Sequence, residues 1–133
     1  MEQSNSGTRV VISGLGVITS LGHNIGEFWG NLLAGRSGIE RITRFDIDGY
    51  SCQVASEVKD FNATEFMEPK EVRRTDRFTH YAMAATKLAL ADGGSDTRKI
   101  DSSKVGIIFG SGIGGMETLE QQFERLRNMG PRK

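Results

Sequence analysis

Glycine is the feature that most constrains how this chain can fold. Seventeen of the 133 residues are glycine, about 13%, which is close to twice the usual ~7%. Seven of them lie between Gly14 and Gly38 and five between Gly106 and Gly115, and each window adjoins an apolar run. Glycine lets a backbone turn tightly or pass close to another surface. The two windows therefore predict two tight backbone passages rather than a flexible linker.

Two apolar runs without alternation predict strands. Residues 9–13 (RVVIS) and 105–109 (VGIIF) hold apolar residues in a continuous run rather than in alternation, which is typical of strands buried on both faces of a parallel sheet. Three other segments show helical spacing of apolar residues. The first begins at Asn24, with Glu27 in its first turn, and ends at Gly35; the second begins at Thr75 or Asp76 and ends at Gly93 and Gly94; the third carries Met116, Leu119, Phe123 and Leu126.

The order of these segments predicts the fold class. Strands that alternate with helices indicate an α/β layered fold, and residues 38–67 add loops with one or two short strands. The middle helix is rich in alanine, so another segment can pack closely against it. Two strands cannot form a sheet that is covered on both faces. We therefore expect an incomplete α/β domain over residues 9–133 after a disordered polar tail at 1–8, and poor solubility of the isolated chain.

Composition excludes several classes of function. Seventeen Lys and Arg balance seventeen Asp and Glu, which argues against a nucleic-acid footprint spread over the whole chain but not against a local basic patch. The longest apolar run, five residues at 81–85, is far shorter than the ~20 of a membrane helix, and the N-terminus does not resemble a signal peptide. A single cysteine, Cys52, fits a reducing cytoplasm and, with two histidines, makes no zinc site. We expect a cytoplasmic protein without metal or cofactor.

The second glycine window fits two interpretations. The pattern Gly110-x-Gly112-x-x-Gly115 matches the dinucleotide-binding fingerprint between a strand and a helix. No strand ending in Asp or Glu follows it, however, and the first window lacks the third glycine of that fingerprint. A structural or pocket-lining loop is therefore the favoured interpretation, and a nucleotide-binding α/β module stays as an alternative.

Four basic residues form a possible docking stripe. Lys70, Arg73, Arg74 and Arg77 stand at i, i+3, i+4 and i+7, so they would share one face of a helix. Acidic residues lie close by in the sequence, which by itself favours a solvated face with local ion pairs. The other interpretation is a patch that docks an acidic partner and speeds its association.

The chain shows no catalytic arrangement of its own. Cys52 lies in a weakly alternating segment rather than at a helix N-terminus, where a thiolate would be stabilised. His23 follows a turn glycine and His80 lies beside an apolar helix position, so both fit structural or solvent-facing roles. We find no nucleophile, no acid–base pair and no metal spacing among these residues.

A set of motifs in this order covers nearly everything after residue 8. They are RVVISGLGVIT at 9–19, FW at 28–29, LLAGRSGI at 32–39, RFD at 44–46, VKDF at 58–61, RRTDRF at 73–78, GSGIGG at 110–115 and GPRK at 130–133. In these motifs the chain resembles the β-ketoacyl-acyl carrier protein synthases of type II fatty-acid synthesis. It is most similar to synthase II, with polyketide ketosynthases as near relatives.

The resemblance implies a thiolase-like fold with two similar halves, packed as α-β-α-β-α layers in a homodimer. This chain would hold the first two core strands of the N-terminal half. In such enzymes a Cys takes the acyl chain from its carrier, malonyl-carrier is decarboxylated, and the carbanion attacks the thioester. The nucleophilic Cys and both catalytic His of the family lie beyond Lys133, and Cys52 does not match that nucleophile. The chain alone is therefore expected to be inactive.

The resemblance also assigns roles to residues that are present. Ile113, with Gly112 and Gly114 beside it, matches a position that borders the acyl-chain pocket near the dimer interface and can gate it. The positions that match basic residues docking the acidic acyl carrier protein are Lys70, Arg73, Arg74, Arg132 and Lys133. Acyl and malonyl thioesters are the implied substrates. A polyketide ketosynthase and a non-catalytic partner of the chain-length-factor type remain open, because nothing up to Lys133 separates them.

Overall fold

The computed structural model describes residues 9–96 and 98–131, within which the chain forms four α-helices and one two-stranded sheet. The helices are α1 (Ile25–Leu33), α2 (Pro69–Val72), α3 (Arg77–Asp92) and α4 (Met116–Met129); the strands are β1 (Ile39–Arg41) and β2 (Val54–Ser56); two 3-10 turns cover Ala63–Glu65 and Ser102–Lys104. The tail predicted for residues 1–8 lies outside the described residues. The three helices that the sequence predicts correspond to α1, α3 and α4, and these predictions are confirmed.

The start of α1 is fixed by side chains close in sequence. The Asn24 Oδ1 accepts a hydrogen bond of 2.9 Å from the Glu27 N–H, and the Glu27 carboxylate accepts one of 3.0 Å from the His23 N–H. The pKa of the Glu27 carboxyl is held below its usual value, with the hydrogen bond from the His23 N–H as the largest cause and the Asn24 side chain as the next. At the other end, Gly35 follows the cap with φ of +66°, a conformation that favours glycine. Both predicted ends are confirmed.

The insertion between α1 and α2 contains a small antiparallel ladder. Strand β1 pairs with β2 so that Glu40 lies opposite Ala55, as the prediction of short strands requires. Beyond the ladder, the Thr43 hydroxyl donates to the Glu57 carboxylate at 2.8 Å. That hydrogen bond is the largest cause of a lowered pKa of the Glu57 carboxyl. An ion pair of Lys59 with Glu40 ties the strand to the loop that follows the ladder.

Helix α3 is the element against which the N-terminal segment packs. Ala84 is completely buried, and a Cβ built on Gly16 would collide with the carbonyl oxygen of Ala85. A Cβ on Gly14 would collide in the same way with the carbonyl oxygen of Ala89. The Leu15 N–H between them donates to the Asp92 carboxylate at 2.8 Å. The expected close approach to an alanine-rich helix is confirmed, and it is a contact between two backbones.

The two apolar runs do not form the buried strands that the sequence predicts. Neither 9–13 nor 105–109 pairs as a strand with any part of the chain that the structure describes. Val10 is 91% exposed and Ile108 is 96% exposed. A parallel strand becomes buried only when strands flank it and helices cover both faces of its sheet. The described residues supply α3 beside the first run and no flanking strand, so the prediction of buried strands is wrong for these residues.

Few side chains within residues 9–96 and 98–131 are buried. The buried apolar residues are Ile47, Ala63, Met67 and Ala84. The exposed surface is 11,297 Å², against roughly 6,900 Å² for a compact monomer of this mass. Many large apolar side chains are exposed, on the two unpaired runs and along α4. No helix among the described residues has the length and hydropathy to span a bilayer.

Candidate functional site

The glycine loop at residues 110–115 joins the second apolar run to α4. Gly114 has φ of +77°, and its N–H donates to the Ser111 Oγ at 3.0 Å, which closes the loop on itself. Ile113 lies next to it and is 71% exposed. The loop therefore presents one β-branched apolar side chain to the surroundings, with Gly112 and Gly114 on either side of it.

The base of this loop is held by the N-cap residue of α3. Asp76 precedes α3, and its Oδ1 accepts a hydrogen bond of 2.6 Å from the Thr118 hydroxyl in the first turn of α4. A Cβ built on Gly115 would collide with the same carboxylate. The sequence predicts Asp76 only as a possible cap of its own helix, yet its side chain makes no cap hydrogen bond there. No local pattern marks its contact with α4, because 42 positions separate the two partners.

This placement of Asp76 bears on the nucleotide-binding interpretation. In that interpretation a phosphate would bind the backbone N–H groups at the N-terminus of α4. The Asp76 carboxylate already lies at that end of the helix, against Gly115 and Thr118. Two negative groups at one helix end repel each other, so the geometry disfavours the nucleotide-binding alternative.

An apolar groove lies between the N-terminal segment, α3 and the start of the glycine loop. Its volume is about 490 Å³. The residues that line it include Val17, Ile18, Phe78, Tyr81, Ala82 and Phe109. Gly110 and Ser111 also line it, whereas Gly112, Ile113 and Gly114 do not. The structure thus brings one end of the glycine loop to an apolar groove and leaves Ile113 outside it.

The basic stripe is not one continuous helix face. Helix α2 ends at Val72, and Arg73 is its C-cap. Lys70, Arg73 and Arg74 are exposed, and none of the three has a carboxylate within 4.0 Å among residues 9–96 and 98–131. The expectation of local ion pairs is therefore wrong for these three in the described part of the chain. Their charges lie close together on the short segment before α3.

Arg77 does not belong with these three residues. It is half-buried, its Nε donates to the Tyr81 hydroxyl at 2.9 Å, and its Nη2 donates to the Val58 carbonyl at 3.0 Å. Arg77 thus ties the insertion to α3, and its place in the predicted stripe is wrong. Arg132 and Lys133, the other two predicted docking residues, lie outside the described residues.

The two histidines make structural contacts, and the single cysteine is exposed. His80 is buried, and its Nε2 lies 3.1 Å from the Val72 carbonyl oxygen, which joins α3 to α2. His23 packs edge-on against Phe61. Cys52 is exposed, and its thiol contacts the Val54 carbonyl oxygen. Within the described residues, no group of His, Cys, Asp or Glu is arranged to hold a metal ion.

Comparison with known proteins agrees with the motifs. The family model described as "Beta-ketoacyl synthase, N-terminal domain" matches residues 7–132. The chain is 42% identical over 123 residues to a 3-oxoacyl-[acyl-carrier-protein] synthase 2 from Synechocystis sp., which covers 92% of this chain and 30% of that protein. It is 42% identical over 125 residues to the synthase 2 of Coxiella burnetii, covering 94% of this chain and 30% of that protein.

Solved structures give the same fold class. A β-ketoacyl synthase from Burkholderia phymatum is similar with a TM-score of 0.73 at 30% identity, covering 89% of this chain and 29% of that one. The ishigamide ketosynthase/chain length factor is similar with a TM-score of 0.71 at 30% identity, covering 88% and 29%. The predicted thiolase-like fold class is confirmed, and the chain spans about 30% of the length of its relatives. The chain-length-factor alternative has no better support than the synthase.

Proposed function

Since the chain belongs to the β-ketoacyl synthase family through its N-terminal domain, we propose that it supplies the N-terminal portion of an enzyme that condenses an acyl thioester with malonyl-acyl carrier protein. The observation that carries the proposal is 42% identity to a 3-oxoacyl-[acyl-carrier-protein] synthase 2 over 92% of this chain. In the proposed reaction the malonyl carboxylate leaves as CO₂. The carbanion then attacks the acyl carbonyl, and the thiolate that carried the acyl group is released.

In this proposal the chain contributes binding groups rather than the nucleophile. Ile113 is exposed at the tip of a loop with a glycine on either side, which suits contact with a hydrocarbon chain. Lys70, Arg73 and Arg74 form an exposed cationic cluster that suits an acidic carrier protein. Clustered charges of one sign act mainly on the rate and orientation of association with an oppositely charged partner.

A hybrid protein tests the proposal. In the hybrid, this chain replaces the matching N-terminal segment of the Synechocystis synthase 2. We expect the hybrid to form 3-oxoacyl product from acyl and malonyl thioesters, measured by mass spectrometry, and the 133-residue chain alone to form none. The unaltered Synechocystis protein is the positive control. A folded hybrid without condensation activity, or a chain that condenses thioesters alone, would contradict the proposal.

Substitution of Ile113 tests the role of the loop tip. In the hybrid, Ile113→Phe is expected to lower kcat/KM for the longest accepted acyl chain about tenfold, because overpacking an apolar pocket costs ~1–3 kcal/mol. Short chains should react as before. Ile39→Phe is the matched control, since Ile39 is 61% exposed on β1. An unchanged chain-length profile in Ile113→Phe would show that this side chain does not border the acyl chain.

A further inference from the structure

The side chain of Asp76, the N-cap residue of α3, connects α3 to α4 through a hydrogen bond that an N-cap residue does not ordinarily make. A residue at a helix N-cap ordinarily accepts a hydrogen bond from the backbone of its own first turn. Asp76 occupies that position with extended backbone, but its side chain makes no such bond. Its Oδ1 instead accepts the hydroxyl hydrogen of Thr118, with the two oxygens 2.6 Å apart. The carboxylate is thus hydrogen-bonded to α4 and not to the first turn of α3.

The first turn of α4 is shaped to receive this carboxylate. Gly115 is the N-cap of α4 and makes no side-chain cap, and the Asp76 carboxylate fills the space that a Cβ on Gly115 would need. The backbone of Gly115 has φ of −83°, which any residue can adopt. Glycine at this position therefore leaves room for the Asp76 carboxylate, and the backbone conformation does not require it. A negative group near a helix N-terminus is also electrostatically favourable.

The same contact fixes the base of the loop that carries Ile113. Ile113 lies two residues before Gly115, and the intervening Gly114 has φ of +77°. Within the loop, the Gly114 N–H bonds to the Ser111 Oγ. The loop is therefore a closed turn whose C-terminal end is attached to α3 by Asp76. Movement of Ile113 relative to α3 requires either that attachment or the turn itself to open.

We propose that Asp76 is a positioning residue that, through Thr118 and Gly115, holds the Ile113 loop in one place and so limits the length of acyl chain that is accepted. The proposal rests on the proposed function for its substrate class. The attachment itself rests only on the geometry of Asp76, Gly115 and Thr118. Release of the loop allows Ile113 to move away from a long acyl chain, so loss of the attachment favours long chains over short ones.

Two variants at Thr118 test the attachment in the hybrid. Thr118→Val removes the hydroxyl and keeps the shape, whereas Thr118→Ser keeps the hydroxyl. We expect Thr118→Val to raise amide hydrogen exchange across residues 110–119 about fivefold, the effect of losing one hydrogen bond. We also expect it to raise the ratio of kcat/KM for long over short acyl chains about fivefold. Thr118→Ser should match the parent hybrid in both measurements.

A double substitution tests whether Gly115 acts through Asp76. Gly115→Ala should raise exchange in the loop, because the new methyl group displaces the carboxylate. In the Asp76→Ala background the same substitution should add nothing, because the carboxylate that it displaces is gone. Additive effects of the two substitutions would contradict the proposal.

The outcomes separate this proposal from the proposed function. A folded hybrid that lacks condensation activity contradicts the proposed function, and hydrogen exchange still decides whether Asp76 holds the loop. Equal exchange in the Thr118→Val and parent hybrids overturns the positioning role. Faster exchange with an unchanged chain-length ratio in an active hybrid overturns the role in selectivity.

Discussion

Replacement of Gly16 by valine is expected to destabilise the chain by about 3 kcal/mol or more. A Cβ at this position would collide with the carbonyl oxygen of Ala85 and would also come within 2.6 Å of the Ala89 nitrogen. Both atoms belong to the backbone of α3, so no side-chain rotation can make room. The N-terminal segment would have to leave the helix. Urea unfolding of the hybrid with and without the substitution, followed by circular dichroism, measures the loss.

Gly30→Ala is the matched control for this prediction. Gly30 lies inside α1, and a Cβ built on it meets nothing within 4 Å. Alanine is favoured over glycine in a helix by up to ~1 kcal/mol, so this variant should be as stable as the parent or more stable. If the Gly16→Val hybrid unfolds at the same urea concentration as the parent hybrid, residues 14–16 do not pack on α3.

Charge reversal at Arg73 and Arg74 is expected to lower kcat/KM of the hybrid with carrier-linked substrate about tenfold at low ionic strength. The two side chains are exposed and have no carboxylate within 4.0 Å among residues 9–96 and 98–131. Glutamate at both positions would therefore repel an acidic carrier directly. The difference from the parent should shrink as salt is added, because the screening length falls to about 10 Å at 0.1 M.

Two controls distinguish docking from a general effect of charge. Arg98→Glu with Lys99→Glu makes the same change in net charge beyond the C-terminal end of α3, about 24 Å from its start. That variant should keep the parent kinetics. A carrier-free acyl thioester should react equally well with the parent and with the Arg73 and Arg74 variant. Equal kcat/KM for the carrier-linked substrate in the parent hybrid and in the Arg73 and Arg74 variant would contradict the docking proposal.

The features that could be predicted from the sequence depend on neighbours along the chain. The Asn24 cap, the glycine that ends α1 and the alanine-rich face of α3 each need only residues within a few positions. The runs at 9–13 and 105–109 show the opposite case. Their composition indicates strands, but a strand needs partners from elsewhere, and the described residues provide none.

The same distinction between local and distant contacts decides which parts of the candidate site the sequence predicts. The glycine loop and the cluster at Lys70, Arg73 and Arg74 can be located from sequence alone. Arg77 has the same spacing as that cluster, yet its guanidinium bonds to Val58 and Tyr81. Tyr81 lies only four positions away, but no local pattern marks Val58, the partner that ties Arg77 to the insertion, because it is 19 positions away. The contact of Asp76 with Thr118 likewise joins residues 42 positions apart, so no local pattern predicts it.

The large exposed surface has a consequence for how the chain unfolds. An unfolded chain of this mass exposes roughly 21,000 Å², so a surface of 11,297 Å² in the folded state means that a little under half is buried. A compact domain of this size buries about two thirds. The heat-capacity increment of unfolding follows the area that becomes hydrated. The enthalpy of unfolding, which sets the width of a thermal transition, also falls as less surface is buried. We therefore expect a broad and weakly cooperative melting transition, which sharpens when another surface covers the runs at 9–13 and 105–109.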